Sequence, residues 1–292
     1  TSLEFNQGSY VGDGGTQTIT VGFAPKVVVV KADASGAAAA GAIRTDTMST
    51  TKVIVGGAAN TAGISALTTT DASFTVVFTG ADVFDTNASG VTYYWYAFGR
   101  FAETGTYAGT GVAQSITGVG FSPTMVWVIS VDDVNDAVVW KSSAMPASSS
   151  LNFAALNETT NEITALGTDG FTVGTDEDVN ASGDNYHWIA FRPVPNLHVG
   201  TYLGDGLDDR ELPSPVMGFS PQIVNIKGAT GSTNAVFHVT ALAGDNTQAY
   251  GTSATAANLI QSLIPAAGQF QVGSGAVVNS SGVQYYFFAA TQ

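Results

Sequence analysis

The sequence predicts an all-β fold of three tandem β-sandwich-like domains, each of about 95 residues. Three observations carry this reading. One block pattern recurs three times along the 292 residues. The composition, with 34 Gly, 16 Phe and 10 Tyr beside abundant Thr, Ser, Val and Ala, suits tight turns and pleated, half-buried surfaces better than helices. Short apolar runs punctuated by Gly, Pro and Asn have the size and spacing of sandwich strands.

Each copy opens on a glycine–tyrosine ladder. Its members are Gly8, Tyr10, Gly12 and Gly14, then Gly105, Tyr107, Gly109 and Gly111, then Gly200, Tyr202, Gly204 and Gly206. A Gly-Phe-x-Pro step follows, at Phe23 and Pro25, Phe121 and Pro123, and Phe219 and Pro221. Proline lacks an N–H but is tolerated at a strand's first position, and the continuous apolar runs behind it (Val27 to Val30, Met125 to Ile129, Ile223 to Ile226) read as strands buried on both faces. These are expected to be the central strands, with Phe23, Phe121 and Phe219 in equivalent core sites. Each copy closes on Asn-x-Ser-Gly-x-x-Tyr and an aromatic strand, with Asn87 and Gly90, Asn180 and Gly183, and Asn279 and Gly282 at the turn. The spacing predicts a hairpin there, Asn and Gly supplying positive φ. The strand before the turn is Phe74 to Phe78, Phe171 to Val173 or Phe270 to Val272. Softer middle segments run over residues 32–70, 131–168 and 228–267, with short strands near Ala42–Arg44, Val138–Lys141 and Val236–Val239 and a helical turn or two at Asn258 to Ile264. The insert Leu207 to Pro213 reads as a variable loop. Boundaries follow at 1–101, 102–195 and 196–292.

Only 11% of residues are charged, and 23 acids against 9 bases leave a formal charge of −14. Such a surface repels phosphate backbones and anionic lipid heads, which argues against nucleic acid and membrane partners. The absence of cysteine excludes disulfides, thiolate metal sites and cysteine nucleophiles. The chain opens Thr1-Ser2-Leu3-Glu4-Phe5 without a basic and apolar leader, and no apolar run approaches the roughly 20 residues of a membrane helix, so it reads as a soluble, extracellular or particle-borne chain.

Candidate chemistry is sparse. Any Ser-His-Asp site must use His187, His198 or His238, and none of these lies in a nucleophile elbow or an HExxH helix. Three acidic groups are candidate Ca²⁺ ligands, because calcium takes six to eight oxygens from acidic loops: Asp132, Asp133 and Asp136; Asp176 with Asp178; and Asp208 with Asp209. None fits an EF-hand, and a solvated acidic rim is the competing reading. Asn-x-Ser/Thr occurs at Asn87, Asn180 and Asn279, and again at Asn157; the triple recurrence at one turn is explained by turn chemistry better than by glycosylation. No His, Asp, Glu, Lys or Arg recurs in all three copies of the aligned blocks. The shared pattern specifies a fold, and neither a catalytic residue nor a cofactor is assigned.

The motifs Gly-Thr-Tyr-x-Gly-x-Gly, Gly-Phe-Ser-Pro, Asp169-Gly170-Phe171-Thr172-Val173-Gly174-Thr175-Asp176 and Asn-Ala-Ser-Gly-x-x-Tyr-x-Trp-x-Ala-Phe resemble a tandem β-repeat family found in virion surface proteins of tailed bacteriophages and prophages. The second copy fits best; the first has Val77 where the second has Gly174, and the third lacks the Trp of the closing strand. The resemblance implies a non-enzymatic structural protein of a virus particle, such as a head-decoration, tail-fibre or tail-associated component, partnered by copies of itself and other virion proteins. The alternatives are a carbohydrate or host-surface binding module, in which Trp95, Tyr96 and Trp188 stack on a glycan, and an S-layer or extracellular filament subunit.

Overall fold

The computed structural model describes residues 2–36, 39–57, 59–80, 85–264 and 268–292. Residues 37–38, 58 and 265–267 of the middle segments lie outside the described residues. The chain is almost entirely β, in separate antiparallel sheets that close within each sequence copy. In the second copy a five-stranded sheet has the order Ala102–Ala108, Asn185–Phe191, Met125–Ser130, Val139–Ser142, Leu151–Asn152. A three-stranded sheet, Gln114–Thr117, Gly170–Val173, Ile163–Leu166, lies over it. The third copy repeats this with Leu197–Leu203, Gln284–Ala290, Ile223–Gly228, Val236–Val239 and Gln248–Ala249, over Arg210–Leu212, Gln269–Val272 and Ile260–Ile264. In the first, Phe5–Val11, Thr92–Phe98, Val27–Ala32, Ala42–Thr45 and Thr51–Val53 are extended by Ala59–Asn60, over Thr16–Thr20, Ser73–Val77 and Gly63–Thr68.

The Pro-led strands are buried at every position, because both faces of each large sheet are covered. Strand side chains alternate, so Val28 and Val30, Val126 and Val128, and Val224 and Ile226 face the small sheet of their own copy. Phe74, Phe171 and Phe270 meet them from the small sheets. Phe121 is buried in this outer core, whereas Phe23 and Phe219 are half-buried at its edge. The ladder tyrosines stack on those of the closing strand at 5.1 to 5.2 Å, Tyr10 on Tyr93, Tyr107 on Tyr186 and Tyr202 on Tyr285. The ladder glycines serve close approach: a Cβ at Gly109 would lie 1.9 Å from the Ala181 carbonyl oxygen and one at Gly204 2.1 Å from that of Ser280.

The other face of each large sheet points to a core shared by all three copies. Val27, Val29, Tyr96 and Phe98 of the first meet Met125, Trp127, Trp140, Ile189 and Phe191 of the second and Ile223, Phe237 and Phe288 of the third. Rings touch across copies, Phe98 with Phe191 at 5.0 Å, Trp127 with Phe288 at 5.6 Å and Phe153 with Tyr250 at 5.0 Å. Three equivalent backbone hydrogen bonds close the arrangement. The Val138 N–H donates to the Ile54 carbonyl (2.9 Å), the Ala235 N–H to Phe153 (2.8 Å), and the Gly41 N–H to Tyr250 (2.8 Å). Second joins first, third joins second and first joins third, so this head-to-tail contact closes into a ring with approximate threefold symmetry.

Four expectations change. The Asn-x-Ser-Gly turn is a crossover from the small sheet to the large one rather than a hairpin, and in the second and third copies it holds a one-turn helix, Glu177–Asn180 and Ala276–Asn279. Gly90, Gly183 and Gly282 have positive φ as expected, but the asparagines do not. Asn258 to Ile264 contains the strand Ile260–Ile264 because its apolar residues cover the small-sheet core. The insert Leu207 to Pro213 is not a free loop: Arg210–Leu212 pairs with Gln269–Val272 and Leu212 is buried.

Candidate functional site

The residues singled out for catalysis or sugar binding are held by the fold. Trp95, Tyr96 and Trp188 are buried core side chains. His187 Nδ1 lies 2.8 Å from the Thr47 hydroxyl, His238 Nδ1 lies 2.7 Å from the Asn246 carbonyl, and His198 stacks on Phe287. Burial holds all three imidazoles below the ordinary histidine pKa. Asn87, Asn180 and Asn279 are fully buried. Asn180 accepts from the Thr110 N–H and donates to the carbonyls of Val112 and Gly174, and Asn279 plays the same part with Asp205 and Leu207. A buried amide that satisfies the crossover on both sides is a structural hub, and its burial bars glycan attachment in the folded chain.

The candidate calcium ligands separate. Asp132 accepts from the backbone N–H and side-chain amide of Asn185, and Asp133 caps the Asn135 N–H. Asp208 accepts from Gln261 on an exposed turn, and Asp209 is exposed beside it. Asp136, Asp176 and Asp178 instead converge, and the structure adds Glu162, which sequence reasoning missed. One oxygen each of Glu162, Asp176 and Asp178 lies within 4.8 Å of the others, and the carboxyl of Asp136 meets that of Asp178. Glu162 is fully buried, receiving the Ser150 hydroxyl at 2.9 Å and the Asn152 amide at 2.7 Å. Desolvation and then the neighbouring Asp136 push the Asp178 carboxyl up to about 7, and burial raises Asp136 and Glu162 as well. Lys52 of the first copy reaches this edge and donates to the Asp133 carbonyl at 2.5 Å.

Residues 97–192 match a family described as a domain of unknown function (DUF7483). The match spans the middle copy, and all four clustered acids fall inside it. No curated protein matches the chain.

Two further patterns escaped the sequence reading. A basic residue recurs at Arg44, Lys141 and His238 in equivalent strands, each ring or cationic group bonded to main-chain carbonyls of its own copy. Its signal was the alignment of those three short strands, obscured because three residue types fill one position. Exposed apolar residues also gather where the ladder turns: Val11 and Leu203 are equivalent, as are Val112 and Leu207.

Proposed function

We propose that the chain is a structural component of a virus particle that works by assembly, seated where its partner has local threefold symmetry. The closed ring carries this reading: one chain supplies three related sandwiches, each with exposed apolar residues beside its ladder, Val11 in the first, Val112 in the second, and Leu203 and Leu207 in the third. A capsid or tail lattice offers such symmetry, and apolar contact surrounded by an acidic, sparsely charged rim suits a protein partner. Support also comes from what the repeated residues do, since the ladder, the tyrosine pairs and the asparagine hubs all maintain the fold. The glycan-binding alternative loses its platform, because Trp95, Tyr96 and Trp188 lie inside.

The test is incorporation. Val112→Asp and Leu207→Asp replace exposed side chains and should leave the melting curve unchanged while lowering the copy number on purified particles. Imaging of those particles should place the chain on a threefold or local threefold position. A location without threefold surroundings, or undiminished incorporation of the double variant, overturns the proposal.

A further inference from the structure

We propose that Asp136, Glu162, Asp176 and Asp178 form a binding site for a divalent cation of the calcium type, set where the second copy meets the first. The argument rests on comparing this place with its counterpart in the third copy. Strand register makes Glu162 equivalent to Leu259, since each precedes the paired strand beginning Ile163 or Ile260. The short helices make Asp176 equivalent to Gly275 and Asp178 to Val277. The strands Val139–Ser142 and Val236–Val239 make Asp136 equivalent to Thr233, and Leu151–Asn152 and Gln248–Ala249 pair Asn152 with Ala249. In the third copy Thr233, Ala249, Leu259 and Val277 line an open cleft of about 310 Å³ that holds no acidic residue, bordered by Ala155 of the second. The fold therefore does not need acids here, yet five neighbouring positions are polar or acidic together in the second copy.

The donor atoms fit a cation. Calcium sits 2.3–2.6 Å from its ligands, so oxygens on one ion lie up to roughly 5 Å apart, and three carboxylates converge within 4.8 Å. Two further oxygens lack a hydrogen-bond partner. Asp136 is 6% exposed with Oδ2 unpartnered, its carboxyl set against Asp178. Asn152 is fully buried with Oδ1 unpartnered, while its amide nitrogen holds Glu162 in place. A buried oxygen left without a hydrogen-bond partner is free to accept from a ligand. Among the described residues the charged partner of these four carboxylates is Lys52, whose ammonium is already bonded to a carbonyl, which leaves an excess of negative charge that a divalent ion would neutralise. An all-oxygen set without His or Cys favours Ca²⁺ over zinc.

The experiment is calorimetric titration of CaCl₂ into the chelator-stripped full chain, with the thermal melt followed in parallel. Near-stoichiometric binding and a melting temperature that climbs with free Ca²⁺ are expected, with a weaker response to Mg²⁺, which demands a tighter octahedral cage. The double variant Glu162→Leu with Asp178→Val installs the third copy's residues, so it should fold and lose the response. Asn152→Ala, which removes the support of Glu162, should weaken binding by about tenfold or more. No heat and no stabilisation of the wild-type chain at millimolar Ca²⁺, or unchanged binding by the folded double variant, overturns the site. These outcomes concern the isolated protein and are distinguishable from failure of particle incorporation.

Discussion

The two faces of the large sheets follow different rules. Toward its own small sheet each copy keeps nearly the same residues: stacked tyrosines in all three, Trp95, Trp188 and Phe287 at one position, Phe74, Phe171 and Phe270 opposite. Toward the shared core, equivalent positions hold Val29, Trp127 and Asn225, or Ile43, Trp140 and Phe237, or Ile54, Phe153 and Tyr250. The outer core is solved three times, once within each copy, so the same solution serves. The shared core is solved once, where three sheets meet, and what it needs is complementary volume. A trimer of identical chains would place three identical side chains around the axis; one chain is free to place a large residue beside a small one.

The largest expected effect tests whether the inner face makes one cooperative body. Residues 102–195 expressed alone would expose Met125, Trp127, Ile129, Trp140, Phe153, Ile189 and Phe191 to water, all buried here. Although the sequence divides at 102–195, the fragment should aggregate or remain molten by near-ultraviolet circular dichroism. In the full chain Trp127→Ala removes a ring that touches all three copies, Phe98, Phe153 and Phe288 among its neighbours. It should destabilise by about 3–5 kcal/mol, and the whole chain should melt in a single earlier transition. A separate early melt of one third of the signal would show that the three outer cores are the true cooperative units.

The difference between the faces also explains what was legible in the sequence. Self-similarity detects positions where all copies obey the same constraint, and those are the outer-face aromatics, the ladder glycines and the crossover asparagines. Burial of the Pro-led strands on both faces was readable from Val27 to Val30 because no polar residue interrupts the run, but the sequence does not say what covers the second face. The ring followed only from Ile54, Phe153 and Tyr250, whose carbonyls join the copies although their side chains share no identity. The acid cluster was half legible. Asp136, Asp176 and Asp178 stood out as loop acids, whereas Glu162 stands alone in Thr-Asn-Glu-Ile and was invisible until strand pairing brought it to Asp176.

Asn225 offers a smaller perturbation with the opposite sign. It occupies the position of Val29 and Trp127, is fully buried, and neither its amide nitrogen nor its oxygen has a partner. An unsatisfied buried polar group costs about 1–3 kcal/mol, so Asn225→Val, which installs the first copy's residue, should stabilise the chain by an amount within that range. Chemical denaturation should show a higher midpoint at an unchanged m-value. A loss of stability would mean that Asn225 holds a buried water worth more than the amide's desolvation.

The smallest effect expected is that of pH, and its inner-face contributors are two buried lysines. Lys31 and Lys227 hold equivalent inner positions, where the second copy has Ile129. Each is buried and crosses to a neighbouring copy, Lys31 donating to the Ser253 carbonyl at 3.0 Å and Lys227 to that of Leu156 at 2.8 Å. Desolvation lowers both ammonium pKa values to about 8, against roughly 10.4 for an unfolded lysine. Between those values the unfolded chain binds more protons than the folded one, so stability rises with pH from 8 toward 10. Below pH 8 both states are protonated and the contribution is flat. Above about 10 the trend reverses, because burial holds the hydroxyls of Tyr10, Tyr202 and Tyr250 above the ordinary tyrosine pKa and only the unfolded chain then loses those protons. The carbonyl partners offset much of the lysine desolvation, which keeps the rise modest. Replacing Lys31 and Lys227 with Met should reduce the rise in melting temperature between pH 8 and 10, the remainder belonging to Lys141, whose ammonium burial also lowers to about 8, while leaving the decline above 10 in place; a rise undiminished by both substitutions would show that neither lysine drives it.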